Sequence, residues 1–222
     1  MRVVLFGASG MIGQGVLREV LRADDVETVL TVGRSGTGQQ HAKLRELKHD
    51  DFTNFASASS ALTGYDVCIW CLGVASSGMS EADYTKVTFG YTMAAADVLL
   101  KVNPQLTFLF ISGASTDSTE KGSVMWARIK GKTENALMAM PFKASFMFRP
   151  GMIQPMNGEI SKTPAYRLFY KFAWPLFPVV KALFPKYVST TEGIGQAMLK
   201  VVRKGYEKRV LEVPDINAAA AM

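Results

Sequence analysis

The chain has little cysteine and little histidine, with two of each among its 222 residues. Cys68 and Cys71 form a C-x-x-C, but they lie inside the apolar run DVCIWCLG, which predicts a buried strand. Residues three apart on a strand face opposite sides of a sheet, so the two sulfurs are expected to diverge. With only His41 and His49 elsewhere, the pattern predicts structural thiols and no metal site. Unpaired thiols fit a reducing compartment, and we expect a cytoplasmic location.

Signals for export, for crossing a bilayer and for nucleic-acid binding are also missing. The opening residues MRVVLFG predict a strand, without the longer apolar run of a secretion signal. The net charge is +6, and the excess lies in residues 151–222, where 10 basic side chains face 5 acidic ones. No Lys/Arg cluster is dense enough to predict nucleic-acid binding. A chain of 222 residues fits one domain with a substantial core.

Apolar runs that predict buried strands alternate with helical patterns. Such alternation with short links predicts an α/β fold with helices on both faces of a parallel sheet. Right-handed connections then favour a Rossmann-type doubly wound sheet of order 3-2-1-4-5-6, with a small aromatic-rich C-terminal subdomain. The predicted strands are 2–7, 28–34, 43–49, 66–73, 106–113, 144–151 and the late RVLEV, and the predicted helices are 11–22, 53–64, 81–102, 123–140 and 190–205.

The segment GASGMIG places three glycines between the first strand and the first helix. Gly7 permits the tight turn, Gly10 lets the backbone approach a pyrophosphate, and Gly13 lets the helix pack on the strand. A glycine-rich turn that only closes a βα unit is the alternative. We expect residues 1–151 to form an NAD(P)-binding Rossmann domain and residues 152–222 to complete the same domain. The loop residues expected at the cofactor are Gly7, Ala8, Ser9, Gly10, Met11, Ile12 and Gly13.

The end of the second strand discriminates between the two nicotinamide cofactors. An NAD-selective site holds a carboxylate there for the ribose 2′-hydroxyl, about 20 residues after the glycines. This chain has Gly33, Arg34 and Ser35 instead. A guanidinium binds a 2′-phosphate with two charge-assisted hydrogen bonds, which favours NADP(H) over NAD(H). A solvated arginine at a strand end is the alternative.

Other strand ends add candidate cofactor contacts. In HDDF, Asp51 is a candidate acceptor for the adenine amino group and Phe52 a flanking apolar surface, although Asp51 fits an N-cap equally well. Segments with accessible backbone also follow the fourth and sixth strands and are candidate cofactor contacts. These candidates are Cys71, Leu72, Gly73, Pro150 and Gly151.

The segments LFGASGMIGQGVLREVL, VGRS, HDDF, WCLG, FISGAST, WARIKGKTENAL and FRPGMI resemble the short-chain dehydrogenase/reductase superfamily in order and spacing. The resemblance is to its atypical branch, NAD(P)-binding or NAD-dependent epimerase/dehydratase-like, close to the Tat-interacting oxidoreductase-like proteins. It implies a serine that orients the substrate at Ser112 and a ribose-binding lysine at Lys130. The catalytic tyrosine of the superfamily falls on Trp126, where the carry-over fails.

An indole N–H donates a hydrogen bond but exchanges no proton at a useful pH, so Trp126 is expected to form a wall or a weak polarising group. Losing such an acid typically lowers the rate by about 10²–10⁴-fold. Some catalysis is retained, because substrate positioning and cofactor binding remain. Tyr84 and Tyr91, near one face of the helix at 81–102, are replacement acids, with core packing as the alternative. Both histidines are expected on the adenine side, which disfavours Ser–His–Asp hydrolysis.

Residues 160–188 contain five basic residues, no acidic ones and eight aromatics. Prolines and charges break this stretch, so no transmembrane span is expected. A substrate lid, a dimer surface and a peripheral membrane contact are three open interpretations. The whole pattern predicts an NADP(H)-dependent oxidoreductase, monomer or homodimer, acting on a small, partly apolar carbonyl or alcohol. The alternative is a non-catalytic NADP(H)-binding sensor.

Overall fold

The computed structural model of the chain describes residues 1–159 and 187–222, so most of the aromatic-rich segment 160–188 lies outside the described residues. The strands are β1 (Arg2–Phe6), β2 (Thr28–Gly33), β3 (Leu44–Lys48), β4 (Val67–Trp70), β5 (Thr107–Ile111), β6 (Ala144–Phe148), β7 (Met152–Gln154), β8 (Val188–Thr190) and β9 (Val210–Leu211). The α-helices are α1 (Met11–Arg22), α2 (Glu81–Thr85), α3 (Tyr91–Val102), α4 (Met125–Ala139), α5 (Thr191–Lys204) and α6 (Val213–Ala221).

Seven strands form one parallel sheet in the order β3-β2-β1-β4-β5-β6-β9. The predicted doubly wound topology is therefore confirmed, and the late strand extends it beyond β6. Val3 pairs with Val29 of β2 on one side and with Val67 of β4 on the other. The chain order reverses between β1 and β4, and ligands of such sheets bind outside the carboxyl ends at that point. A second, two-stranded parallel sheet pairs β7 with β8.

Two apolar clusters cover the two faces of the sheet. Val3 and Leu5 belong to the cluster that includes residues of α1 and α5, whereas Val4 and Phe6 belong to the aromatic-rich cluster on the other face. Alternate residues of one strand are thus buried on opposite sides, which is why the strands are continuous apolar runs. Close glycine contacts fit α5 against α1: a Cβ on Gly15 would lie 2.6 Å from the Thr191 Cβ.

The two cysteines face opposite clusters, as their spacing predicts. Cys68 is fully buried in the aromatic-rich cluster, while Cys71 packs against the cluster of α1 and α5. Both are free thiols. Burial raises the pKa of Cys68, and it raises the pKa of Cys71 to about 12, so both thiols are neutral near pH 7. Within the described ranges no group of three His, Cys, Asp or Glu side chains is placed to hold a metal ion.

Two helix predictions need correction, and one helix was not predicted. Residues 53–64 form only a 3₁₀ turn at Ala56–Ala58, because short polar side chains take the backbone donors, as where Asn54 Oδ1 accepts from the Ala56 N–H at 2.8 Å. The helix predicted at 81–102 contains a π-helical segment, Lys86–Gly90, between α2 and α3. The unpredicted helix is α6, which contains the C-terminal alanines and starts with a capping box between Glu212 and Asp215. No helix in the described parts is long and apolar enough to span a membrane.

Candidate functional site

Two joined cavities follow the carboxyl edge of the sheet, on either side of the switch point between β1 and β4. We call them the Lys130 lobe, about 570 Å³, and the Arg34 lobe, about 520 Å³. Both volumes are within the range of small-molecule sites. The two lobes share Gly10 and residues 71–75, so they form one continuous cleft over the glycine loop.

The glycine loop has the close packing that its three glycines predict. Gly7 has a φ of +77°, and a Cβ there would lie 2.5 Å from the backbone of Cys71 and Leu72. Gly13 does not line the cleft; a Cβ at this position would lie 2.1 Å from the Gly7 carbonyl oxygen, so it serves the helix–strand contact. At Gly10 the nearest atom to a Cβ would be 3.4 Å away, which leaves the backbone open to the cleft.

The N-terminus of α1 fits a pyrophosphate. Its N-cap is Gly10, which has no side chain to satisfy the first N–H groups, and the first turn contains no acidic residue. Met11 and Ile12 of this turn line the Lys130 lobe, next to Gly10. The helix dipole and the uncapped N–H donors of such a terminus favour an anion. An exposed anion-binding backbone beside a cleft is what a dinucleotide requires.

Arg34 stands at the far end of the cleft with its guanidinium available. Gly33, Arg34 and Ser35 line the Arg34 lobe, and Arg34 is exposed. Its guanidinium makes no hydrogen bond or ion pair with any residue in the described part of the chain. The following loop is held by Glu46 of β3, whose carboxylate accepts from the Thr37 N–H and hydroxyl at 2.6 Å each. The Thr37 hydroxyl lowers the pKa of Glu46, so this acceptor stays ionised.

Asp51 lies outside the lining of the cleft, and Asp50 lines the Arg34 lobe in its place. The Asp51 carboxylate accepts from the Thr53 N–H at 2.9 Å and from the Thr53 hydroxyl at 2.5 Å. These hydrogen bonds lower the pKa of Asp51, with the Thr53 hydroxyl as the main cause. The structure therefore places Asp51 in a local turn with Thr53, whereas the N-cap of the 3₁₀ turn that follows is Phe55 and not Asp51. Phe52 does line the lobe, with its ring centroid 5.7 Å from that of Tyr91.

The fold brings Ser112, Trp126, Lys130 and Tyr84 together in the Lys130 lobe, where Pro150 and Gly151 also lie. They come from the end of β5, from α4 and from α2. Tyr91 lines the Arg34 lobe instead, so the two tyrosines do not share a cavity. The π-helical segment lies between them along the helix. Tyr84 is 2% exposed.

The Ser112 hydroxyl is tied into its own loop. Its oxygen lies 2.9 Å from the Thr116 hydroxyl, and Thr116 donates to the Gly113 carbonyl at 2.7 Å. Each hydroxyl has one proton, so Thr116 accepts from Ser112 when it donates to Gly113. Ser112 then presents lone pairs, and not its proton, to the cleft.

Lys130 is anchored from α4 to the end of β5. Its ammonium donates to the Ile111 carbonyl at 2.9 Å and lies 5.0 Å from the centroid of the Phe110 ring. Burial lowers the pKa of Lys130 to about 8, although the Glu134 carboxylate acts in the opposite direction. One N–H is used by Ile111, so two remain for a ligand. Trp126, one turn earlier on α4, packs close to Gly113.

A buried ion-pair network, which the sequence did not reveal, holds the loops of the Lys130 lobe. Arg149, at the end of β6, donates to Glu134 of α4 at 3.0 Å, to Glu212 at 3.0 Å and to the Ser118 hydroxyl. Glu134 is fully buried. Burial alone would lower the pKa of Arg149, but the two carboxylates outweigh it and raise this pKa. The only signs of this network in the sequence were the Arg in FRPG and a Glu four residues after Lys130 in the same helix. The network fixes the backbone directly before Pro150.

With this geometry established, the comparisons identify the family. The family model for the NAD dependent epimerase/dehydratase family matches residues 3–123, which include the glycine loop, Arg34 and Ser112. The chain belongs to this family. The resemblance to the atypical short-chain dehydrogenases/reductases is confirmed, and an oxidoreductase family of the NAD(P)-binding Rossmann type is established.

Curated relatives cover much of the chain. Protein fmp52-1, mitochondrial, of Aspergillus terreus is 33% identical over 167 residues, which are 71% of this chain and 68% of the relative. Protein fmp52, mitochondrial, of Emericella nidulans is 27% identical over 218 residues, 94% of this chain and 90% of the relative. Protein HTATIP2 of Rattus norvegicus is 25% identical over 205 residues, 86% and 83% of the two chains.

Solved structures share the fold. A short chain dehydrogenase family protein from Francisella tularensis superposes with a TM-score of 0.68 at 14% identity, covering 95% of each chain. WbmF of Bordetella bronchiseptica, solved in complex with NAD⁺ and UDP, superposes with a TM-score of 0.71 at 15% identity, covering 98% of this chain and 75% of WbmF. At such identities the likeness establishes the fold.

The predicted cytoplasmic location is wrong by these comparisons. The fungal relatives of Aspergillus terreus, Emericella nidulans and Meyerozyma guilliermondii are named as mitochondrial proteins. The prediction rested on two unpaired thiols and on a missing secretion signal. Free thiols fit a reducing compartment, but they do not select one reducing compartment over another.

Proposed function

We propose that the chain is an NADP(H)-dependent oxidoreductase that acts on a small, partly apolar carbonyl or alcohol. The observation that carries the proposal is the continuous cleft with an uncapped helix N-terminus at its centre. The Arg34 guanidinium, which has no partner among the described residues, lies at one end of the cleft, and the anchored Lys130 ammonium lies at the other. A dinucleotide has its charges and hydroxyls in this order: 2′-phosphate, pyrophosphate, nicotinamide ribose.

The preference for the phosphorylated cofactor rests on Arg34. Its guanidinium has no partner among the described residues, so a 2′-phosphate would gain two charge-assisted hydrogen bonds without breaking any. The Asp50 carboxylate, which lines the same lobe, has the Lys48 ammonium 3.9 Å away to offset its charge. The cation is therefore available and the nearby anion is partly compensated.

At the other end the residues of the chain bind and orient. A bound nicotinamide would supply the hydride chemistry. Lys130 has two N–H groups left for ribose hydroxyls, and its position is set by the Ile111 carbonyl at 2.9 Å. Trp126 forms an apolar wall, and Ser112 offers an acceptor. The relatives in the epimerase/dehydratase family support this assignment of the cleft.

The experiment is a titration of the purified protein with NADPH and with NADH, in wild type and in Arg34→Glu. Arg209→Glu is the matched control. Arg209 directly precedes β9, so it lies at the amino ends of the parallel strands, away from the cleft at their carboxyl ends. We expect Arg34→Glu to weaken NADPH binding by about 100-fold, as charge-assisted contacts of about 1.5–3 kcal/mol are lost and repulsion is added. NADH binding should hold or improve. Equal loss of both nucleotides, or the same loss in Arg209→Glu, would contradict the proposal.

Trp126 also fits a second function, that of a non-catalytic NADP(H)-binding sensor. The resemblance places Trp126 at the position of the family's proton donor, and an NADP(H)-binding sensor needs no such donor. In that case NADPH would bind with the predicted Arg34 dependence, but no hydride acceptor would be turned over. Measured turnover in the wild type decides between the two functions.

A further inference from the structure

Reduction of a carbonyl leaves an oxygen that must gain a proton. The product alkoxide is about as basic as hydroxide, whose conjugate acid, water, has a pKa of about 16. A site that lacks a positioned donor therefore loses about 10²–10⁴-fold in rate. The donor is sought among the side chains that line the Lys130 lobe and carry a hydrogen on oxygen, nitrogen or sulfur. Within the described ranges these are Cys71, Ser76, Tyr84, Ser112, Trp126 and Lys130.

The hydroxyls and the indole of this lobe are poor donors. Ser76 or Ser112 would be left as an alkoxide, the same strong base as the product, so neither can neutralise it. The Ser112 proton also points into its own loop, toward Thr116, 2.9 Å away. The indole of Trp126 exchanges no proton at a useful pH. These groups can form hydrogen bonds, but they cannot supply the proton.

The thiol and the phenol are also unsuited, which leaves the ammonium. Burial raises the pKa of Cys71 to about 12, so its thiol is a weak acid near pH 7. Tyr84 is 2% exposed and offers almost no surface to a substrate. Burial lowers the pKa of Lys130 to about 8. A general acid is most effective when its pKa lies near the working pH, and Lys130 meets this condition.

Lys130 is held where a donor is needed. The Ile111 carbonyl at the end of β5 fixes its nitrogen at 2.9 Å, directly before Ser112 in the chain. Trp126 lies one turn earlier on α4 and lines the same lobe. Two N–H groups of the ammonium remain, one for a ribose hydroxyl and one for a substrate oxygen. The side chain is partly exposed, so water can return a proton that it has given up.

The charged and titratable groups around Lys130 allow it to change charge. Glu134, one turn later on α4, acts to raise its pKa, but this carboxylate accepts from the Arg149 guanidinium at 3.0 Å. The Cys71 thiol at the end of β4 acts in the same direction as Glu134, and Tyr84 of α2 lines the same lobe. No other charged side chain from residues 1–159 and 187–222 lines the lobe. The ammonium can therefore give up its proton without leaving a carboxylate unpaired in the lobe.

We propose that Lys130 is the general acid of this cleft and gives its ammonium proton to the oxygen of the carbonyl that is reduced. This inference rests on the proposed oxidoreductase function and supplies its proton donor. The carbonyl carbon gains a hydride, with its electron pair, as the C4–H bond of the dihydronicotinamide breaks. The electron pair of the C=O π bond moves to oxygen, which forms an O–H bond with the proton. Lys130 is left as a neutral amine, which water reprotonates, and the carbonyl has gained two electrons from the nicotinamide.

The first test is the pH dependence of the first turnover at saturating NADPH, with 4-nitrobenzaldehyde and acetophenone as acceptors. Reduction needs the ammonium, so the rate should be constant below pH 8 and fall about tenfold for each pH unit above it. Oxidation of 4-nitrobenzyl alcohol by NADP⁺ needs the amine, so its rate should rise up to pH 8 and then level off. A lysine that only binds the ribose would change KM for NADPH and leave the saturated rate independent of pH.

Variants at position 130 separate charge from proton donation. Lys130→Arg keeps the charge, but a guanidinium gives up no proton. We expect its saturated rate to fall by about 10²-fold or more, while NADP⁺ affinity stays within about threefold of wild type. Lys130→Ala should lose as much rate, and added methylammonium should restore it by at least about tenfold. Lys132→Ala is the control, because this exposed lysine of the same helix lies over the Phe89 ring, 4.7 Å from its centroid, and should react like the wild type.

The charge of Lys130 can also be followed without any turnover. In the NADP⁺-saturated protein labelled with ¹³C-lysine, the Cε signal that is lost in Lys130→Arg should titrate with a midpoint near pH 8. A midpoint near the ordinary pKa of 10.5 would overturn the proposal, because Lys130 would then be no stronger an acid than an ordinary phenol.

The outcomes distinguish the two proposals. If the protein binds no nicotinamide nucleotide, or binds NADPH and reduces neither acceptor, the oxidoreductase function fails and Lys130 has no reaction to serve. If the wild type reduces an acceptor but Lys130→Arg does so equally fast, only the proposal for Lys130 fails. It also fails if Tyr84→Phe, and not Lys130→Arg, removes the fall in rate above pH 8.

Discussion

In the described part of the chain, the Arg34 lobe contains the backbone of the glycine loop and the exposed Arg34 guanidinium, whereas the Lys130 lobe brings together side chains of α2, β5 and α4. The backbone of the first follows from short motifs, such as the turn at Gly7 and the N-terminus of α1. The second depends on the meeting of α2, α4, β5 and the loop after β6. The first keeps the features expected for a dinucleotide. In the second, the resemblance places Trp126 where a catalytic tyrosine is expected. We therefore expect cofactor binding and proton transfer to respond to different substitutions.

The largest effect on NADPH binding is expected from a substitution in the glycine loop. Gly7→Ala places a Cβ 2.5 Å from backbone atoms of residues 71 and 72 and also strains a φ of +77°. We expect a loss of NADPH affinity of more than about 100-fold, since the loop must move away from the pyrophosphate. Gly205→Ala is the control, because Gly205 has a φ of +74° with nothing within 4 Å of its Cβ position. That control should lose only about 1–2 kcal/mol of stability and bind normally; equal binding by both variants would contradict the account.

In the Lys130 lobe, the titration of Lys130 predicts how the stability of the protein depends on pH. Its pKa of about 8 lies below the ordinary 10.5, because burial disfavours the ammonium. Between these values the unfolded chain binds more protons than the folded chain, so this residue's contribution to stability rises with pH. The free energy of unfolding of wild type, relative to Lys130→Met, should therefore increase from pH 8 to pH 10.5. Urea unfolding at a series of pH values measures it, and a decrease over this range would refute the assignment.

The smallest effect concerns the proton of Ser112. Thr116→Val removes the acceptor at 2.9 Å and leaves the serine proton free to turn into the cleft. Reduction of 4-nitrobenzaldehyde should rise by about two- to tenfold, the value of one hydrogen bond. Thr133→Val is the matched control, because its buried hydroxyl donates to the Ile129 carbonyl at 2.8 Å within α4. A similar rise in the control would show that the effect is not due to Ser112.

Much of the fold was predictable because it depends on local patterns. Continuous apolar runs gave the six main strands and their order, and the glycines gave the start of α1. The helix predicted at residues 53–64 was wrong because hydrogen bonds to short polar side chains outweigh a weak helical pattern there. The expected common face of Tyr84 and Tyr91 was not found, because a π-helical segment lies between them and the two side chains line different lobes.

The site was less predictable where its parts come from distant segments. Arg149 and Glu134 meet across 15 positions of sequence, and Glu212 joins them from 63 positions away. Gly131 lets α4 contact the loop after β5, since a Cβ there would lie 1.8 Å from the Asp117 carbonyl oxygen. Neither contact leaves a periodic signal in the sequence. The bond between Ser112 and Thr116 is local, but its direction follows only from the geometry of Gly113.

We expect the cleft to bind NADPH in one direction, with the adenosine end in the Arg34 lobe and the nicotinamide end in the Lys130 lobe. The most direct measurement is a crystal structure of the complex with NADPH. We expect the 2′-phosphate within about 3 Å of the Arg34 guanidinium and the nicotinamide ribose within hydrogen-bond distance of the Lys130 ammonium, beside Trp126. A nucleotide bound in the reverse direction, or a 2′-phosphate that points to solvent away from Arg34, would contradict it.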